Sequence, residues 1–228
     1  MHHRKIRLLI AISGMDGTGK TTLALSLTKA LNRRGIPVKY VWTRFEPWLV
    51  SIPWRMMQLV LKKNKMHYSN YSLSKRSLLR APFFSNLFLY SLLIDYWIQI
   101  QIKVNLPLKF GGIVICDRYF YDTLVDLAID MGYVWPQTNE LLGKFRSLIP
   151  SPDLIIILDL SAEEAFRRKT DTPSLGYLLE RRDLFLSLGS KLNAVIVSAD
   201  VDKAEIHALA LKHMEDCIDR NKSHFRYG

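Results

Sequence analysis

The sequence predicts an α/β fold in which a five-stranded parallel sheet is covered by helices on both faces. Three observations point there. Short apolar runs recur along the chain, helix-patterned segments alternate with them, and the central runs are continuously apolar rather than alternating. A strand with one wet face alternates, whereas a strand covered on both faces does not, and a strand–helix rhythm builds parallel pairs. The chain has 228 residues, 49% of them hydrophobic, and no Pro-, Gly- or Ser-rich linker divides it. It is therefore read as one domain, residues 1–228.

Residues 6–12 form the first apolar run and end in Ser13-Gly14. Leu23, Leu27, Ala30 and Leu31 then share one helical face, closed by Arg33, Arg34 and Gly35. Residues 38–42 are the second strand, 112–116 the third, 153–160 the fourth and 194–197 the fifth. Ser161-Ala-Glu-Glu164 reads as a capping box that starts a helix. Ile206, Leu209, Ala210, Met214, Cys217 and Ile218 give the last helix one apolar face. The long stretch 44–111 is rich in aromatics and is expected to be a helical insertion forming one wall of a cleft. Within it, residues 83–102 have the length and apolarity of a membrane span. Asn86, Asp95, Gln99 and Gln101 would be costly in lipid, so a buried helix is expected instead.

The net charge of +11 suits anionic ligands. Basic residues are scattered or paired, as in Arg33-Arg34 and Lys62-Lys63, with no basic arm. Phosphorylated small molecules are therefore the expected partners, and nucleic acid is not. Cys116 and Cys217 make neither a disulfide framework nor a metal-ligand spacing, which fits a cytoplasmic protein. The first dozen residues pass from basic to apolar like a signal peptide. They are too short, lack a small-residue cleavage site and run into a loop motif, so a strand is expected. A homodimer stays open.

Gly14-Met15-Asp16-Gly17-Thr18-Gly19-Lys20-Thr21 matches G-x-x-x-x-G-K-[ST] in full, between an apolar strand and an amphipathic helix. That is the phosphate loop of the P-loop NTPase three-layer fold. Its glycines let backbone N–H groups converge on phosphate oxygens at a helix N-terminus. Gly14, Asp16, Gly17, Thr18, Gly19, Lys20, Thr21 and Thr22 are thus the expected ATP-binding residues. Lys20 would reach the β and γ phosphates, and the Thr21 hydroxyl would ligate magnesium. Lys20 is expected on a solvent-facing loop, with little packing. Asp117 ends the third strand, where a P-loop protein faces its magnesium shell. Its neighbour Arg118 must meet an acid or a phosphate if buried. Thr43-Arg44 ends the second strand, at the sheet edge where ligands bind.

At these residues the chain resembles the thymidylate kinase family of nucleoside monophosphate kinases, over nearly its whole length. Thr43-Arg44-Phe45-Glu46-Pro47 resembles the family's T-R-E-P segment with one residue inserted, and Asp117-Arg118-Tyr119 matches its D-R-Y. Pro152-Asp-Leu-Ile-Ile-Ile-Leu-Asp159, with Glu163-Glu164-Ala165 and Arg168, resembles its fourth strand and the helix that leads to the lid. The resemblance implies that Asp16 holds the sugar 3′-hydroxyl of the acceptor. It implies that Arg44 and Arg118 grip the acceptor phosphate, and that Asp117 orders magnesium. It makes 44–111 the acceptor-binding insertion and about 167–182 the lid. The phosphate loop carries no Arg, so the catalytic cation would come from the lid: Arg168, with Arg167 and Lys169, then Arg181 and Arg182.

Two departures stand out. Where the family has a D-R pair that reads the base, this chain has Asp95-Tyr96, leaving Tyr96 as the candidate. After D-R-Y the family shows Ser and then Tyr-Gln, whereas this chain has Asp122 and then Asp126-Leu127. Asp122 and Asp126, one helical turn apart, either face the acceptor or form a solvated acidic face. The reading that follows is an ATP- and magnesium-dependent kinase acting on a nucleoside monophosphate, dTMP first. Transfer to a nucleoside, sugar or other acceptor, and a non-catalytic nucleotide switch, are the alternatives.

Overall fold

The computed structural model describes residues 6–44, 82–168 and 174–224. Its strands are β1 (Arg7–Gly14), β2 (Val38–Trp42), β3 (Gly112–Asp117), β4 (Leu154–Asp159) and β5 (Val195–Ser198). They form one sheet in the order β2-β3-β1-β4-β5, and every pairing is parallel. The three inner strands are the continuously apolar ones. Residues Leu8 to Ile12 of β1 are at most 2% exposed, as are Ile113 to Cys116 of β3. The edge strands β2 and β5 leave Trp42 and Ile196 partly in water.

The helices are α1 (Lys20–Arg33), α2 (Pro82–Ile100), α3 (Leu106–Lys109), α4 (Phe120–Met131), α5 (Trp135–Arg146), α6 (Ala162–Arg168), α7 (Leu175–Leu192) and α8 (Lys203–His224). Helix α1 buries Leu23, Ala24, Leu27 and Leu31. Ala24 takes the place expected for Ala30, which stays half-buried. In the expected insertion, α2, a π-helical turn at Gln101–Asn105 and α3 follow one another directly. The other helices expected between 44 and 81, and lid residues 169–173, lie outside the described residues. Asp95 and Gln99 are buried in α2, and the Gln99 amide donates to Asp95 at 3.3 Å across one turn. Among the described residues, no helix is long and apolar enough to cross a membrane.

The topology decides where a ligand sits. From β1 the chain crosses to β2 on one side of the sheet, and from β3 it crosses over β1 to β4 on the other. The crevice between the C-terminal ends of β1 and β3 is the switch point where such sheets bind ligands. Gly14 is required there by close packing. Its φ is +141°, and a Cβ would stand 2.4 Å from the Leu158 carbonyl oxygen of β4. Gly14→Ala should therefore destabilise the fold by about 3 kcal/mol through clash and backbone strain. Urea denaturation followed by circular dichroism measures this, and an unchanged midpoint would contradict the packing argument.

Candidate active site

The phosphate loop joins β1 to α1. Gly19 caps α1 in the left-handed region at φ 88°, and no side chain caps that end. The first N–H groups of α1 therefore point from a positive helix terminus toward the crevice. The Thr18 hydroxyl donates to the Met15 carbonyl at 2.9 Å and holds the loop closed. Lys20 corrects the expectation of a solvent-facing charge, because it is only 5% exposed. Its ammonium donates to the carbonyls of Gly14 at 2.8 Å and Met15 at 2.5 Å. Folding back over the loop hides the stem and sets the ammonium against two loop carbonyls. Burial pushes the amine down to about 8, although the nearby Asp122 and Asp16 carboxylates oppose the shift.

Asp117 and Thr21 meet as expected, with the Thr21 hydroxyl donating to Asp117 Oδ2 at 2.6 Å. Tyr40 of β2 donates to the same oxygen at 2.9 Å. Nothing in the sequence marks Tyr40; the register that sets Trp42 opposite Asp117 brings it there. Asp117 is fully buried, and its Oδ1 has no hydrogen-bond partner among the described residues. An orphaned carboxylate oxygen beside a hydroxyl is a donor set that suits magnesium. Magnesium held this way is bound through one or two protein oxygens, with phosphate oxygens and water as its other ligands.

Arg118 follows Asp117 with φ at 67°, which turns the chain sharply out of the strand. Its Nη2 donates to Asp16 at 2.5 Å, and its Nη1 stands 3.5 Å from Asp122. Burial works to raise the Asp16 pKa, but the charge and hydrogen bond of Arg118 prevail and hold it well below the carboxylate range. Asp122 is 1% exposed and accepts the Tyr119 N–H at 3.1 Å as the capping box of α4. Burial raises its pKa, against the attraction of Lys20 and Arg118. The solvated acidic face is thereby overturned: Asp122 is inside the site, and Asp126 pairs with Arg181.

Thr43 ties the two strand ends together. Its hydroxyl donates to the Arg118 carbonyl at 2.6 Å, and its N–H donates to the Asp117 carbonyl at 3.2 Å. Arg44, the next residue, is exposed at the same corner. Tyr96 is 2% exposed, with its ring 6.0 Å from Phe120 and its hydroxyl donating to the Thr43 carbonyl at 3.3 Å. It supports the Thr43-Arg44 corner from beneath. Thr22 lies on the exposed side of α1.

The lid candidates separate clearly. Arg168 lies against the phosphate loop, since a Cβ on Gly17 would stand 3.8 Å from its own Cβ. Its guanidinium is held by Glu164 at 2.7 Å and the Ala199 carbonyl at 3.4 Å. Arg167 is highly exposed and also bonds Glu164. Arg182 makes two bonds to Asp159, at 2.7 and 2.8 Å. Among the described lid candidates, Arg181 alone is fully buried.

The sequence model of the thymidylate kinase family matches residues 12–210. The probable thymidylate kinase of Pyrococcus abyssi is 33% identical over 162 residues, which cover 70% of this chain and 68% of that protein. The thymidylate kinase of Chlamydia caviae is 32% identical over 193 residues, covering 79% and 83%. The probable thymidylate kinase 1 of Saccharolobus solfataricus is 28% identical over 212 residues, covering 90% and 95%. Among solved structures, the thymidylate kinase from Ehrlichia chaffeensis superposes with a TM-score of 0.56 at 19% identity, over 91% of this chain and 98% of that one. At that identity the likeness concerns the fold.

The Lys20 amine gives a pH signature. A phosphate binds its charged form, so ATP affinity should be flat below pH 8 and weaken above it as the free amine loses its proton. Stability runs the other way. The folded pKa lies below the ordinary 10.5, so the unfolded chain holds more protons in that window, and the contribution of Lys20 to stability grows from pH 8 to 10.5. Titration of a fluorescent ATP analogue across pH 7–10 should show the step in the wild type and none in Lys20→Met.

Proposed function

The chain belongs to the thymidylate kinase family, and from that premise we propose that it transfers the γ-phosphoryl group of ATP to dTMP. The observation that carries the reading is the corner where Lys20, the Thr21–Asp117 pair and Arg118 meet at the ends of β1 and β3. Donor and acceptor phosphates brought there face each other across one set of cations. The acceptor is a phosphate, so its attacking oxygen is already anionic and no general base is needed. That oxygen bonds the γ-phosphorus, the bond to the leaving oxygen breaks, and the electron pair departs on ADP. The work of the protein is alignment, exclusion of water and neutralisation of charge.

The residues take roles accordingly. Lys20 and the α1 terminus hold the donor phosphates. Magnesium, carried by the nucleotide, would lie against Thr21 and Asp117 and supply charge neutralisation at the phosphate oxygens. Arg118 and Arg44 hold the acceptor phosphate. Arg118 is paired with Asp16 in the structure. When it turns to a phosphate, it frees the Asp16 carboxylate to accept a hydrogen bond from the sugar hydroxyl. Residues 44–111 are assigned to acceptor binding and about 167–182 to the lid. The reducing cytoplasm is the compartment consistent with two free cysteines.

Arg118→Ala and Arg44→Ala should each raise KM for dTMP about tenfold or more while KM for ATP changes little, the loss expected of a charge-assisted bond. Steady-state kinetics with each substrate varied tests the clamp, and unchanged dTMP kinetics in both variants would remove it. Base selectivity should be modest, because the Tyr96 hydroxyl is already engaged by the Thr43 carbonyl and Leu127 offers no amide. The ratio of kcat/KM for dTMP over dUMP should lie in the roughly 10–200-fold range that a methyl-sized pocket gives. Assays with dTMP, dUMP, UMP and CMP measure it, and a ratio far above that range would mean that other residues read the base.

A further inference from the structure

We propose that Arg181 is the cation that neutralises the phosphoryl group in flight, with Asp126 and Tyr177 as its positioning residues. The proposal rests on the kinase reading above. Arg181 lies on α7, which packs against α4, and it is 1% exposed. Its Nη1 donates to Asp126 of α4 and, at 2.8 Å, to the Tyr177 hydroxyl one turn earlier on α7. The Tyr177 and Phe185 rings lie 5.3 and 5.9 Å from the guanidinium carbon and limit its freedom. Yet Nε and Nη2, both buried, have no partner among the described residues. Two such donors on a fixed guanidinium are costly without an acceptor, and a phosphoryl oxygen pair matches their fork.

The location fits. Asp16 and Lys20 of the phosphate loop both feel the charge of Arg181, and Lys20 also feels Arg118. The geometry agrees: Asp126, which Arg181 grips, lies one helical turn from Asp122 on α4, and the Asp122 carboxylate stands 3.5 Å from Arg118, so cations from α1, the end of β3 and α7 share one set of acids. Lys20 is assigned to the donor phosphates and Arg118 to the acceptor phosphate, so the third charge completes the set around the γ-phosphoryl group as it passes between them. Arg168 is the weaker candidate. Its Nε and Nη1 already have acceptors, and its side chain is 40% exposed, where solvent screens it. A charge fixed in a dry site acts on a developing charge far more strongly. In the transfer, Arg181 gains and loses no proton; it donates hydrogen bonds to the equatorial oxygens while the bond to ADP breaks.

The alternative is that the Asp126–Arg181 pair only fastens α7 to α4. The double variant Arg181→Met with Asp126→Leu separates the two, because replacing both partners of a pair whose cation is buried by apolar side chains leaves stability nearly intact. Expected is a fall in kcat of about a thousandfold or more, with KM for ATP and the melting temperature near wild type. A kcat within about threefold of wild type would overturn the proposal. Should the double variant melt early, Arg181→Lys, which keeps a charge opposite Asp126, serves instead. Its kcat should fall at least about tenfold at unchanged KM for ATP, and full activity would overturn the proposal. If the wild type phosphorylates none of the four monophosphates, it is the acceptor reading that has failed. Arg181 is then tested by retention of ADP with magnesium and fluoroaluminate, which mimic the planar phosphoryl group. Loss of tight retention in the variant supports its role, and equal retention overturns it.

Discussion

Buried charge at the C-terminal end of β1 and β3 is the constraint on which the site depends. Lys20, Arg118 and Arg181 are all largely withdrawn from water, and so are Asp16 and Asp122. A cation alone in such a place would cost several kcal/mol. Each here has an opposite charge nearby: Asp16 and Asp122 beside Arg118, Asp126 beside Arg181, and Asp122 in the field of Lys20. The acids hold the cations in place in the structure. In the proposed reaction a phosphate would replace Asp16 as the partner of Arg118, with little rearrangement of the cation.

The sheet makes this possible. Parallel strands deliver their C-terminal ends to one edge, and the order β2-β3-β1-β4-β5 sets β1 and β3 side by side where the crossovers diverge. The register pairs Ile12 with Asp117, so the phosphate loop begins just past the level of the carboxylate it must meet. The Arg118 N–H donates to the Ile12 carbonyl at 2.9 Å, which fixes the point at which its left-handed turn leaves the sheet. One hydroxyl, that of Thr43, then locks the β2 corner to the β3 corner. Specific side chains reach one point because the backbone ladder beneath them is rigid.

The resemblance to the family's motifs is uneven along the chain. The residues proposed to handle phosphate, Lys20, Thr21, Asp117 and Arg118, stand in the phosphate-loop and D-R-Y motifs that resemble the thymidylate kinase family. The positions around the acceptor do not. Tyr96 is a buttress under Thr43, and α4 contributes the carboxylates of Asp122 and Asp126. Charge neutralisation is set by the phosphates, which every acceptor monophosphate shares. The remainder of the acceptor is free to be read by different contacts.

Local pattern was enough to determine much of this protein. Continuous apolar runs specify strands covered on both faces, and the full loop motif between a strand and a helix specifies a phosphate site, because both follow from near neighbours in the chain. The meeting of Asp117 with Thr21 was also legible, since the loop motif and a strand-ending acid imply it. Other features depended on the tertiary structure. That Lys20 folds inward, that Asp122 is buried rather than solvated, and that Tyr40 joins Asp117 depend on register and on what packs above them. The choice among the basic lid residues is of the same kind. Arg167, Arg168, Arg181 and Arg182 are equivalent as letters, and only the packing of α7 on α4 takes one of them out of water and leaves its donors without acceptors. Burial is a property of distant segments brought together, so a local pattern does not encode it.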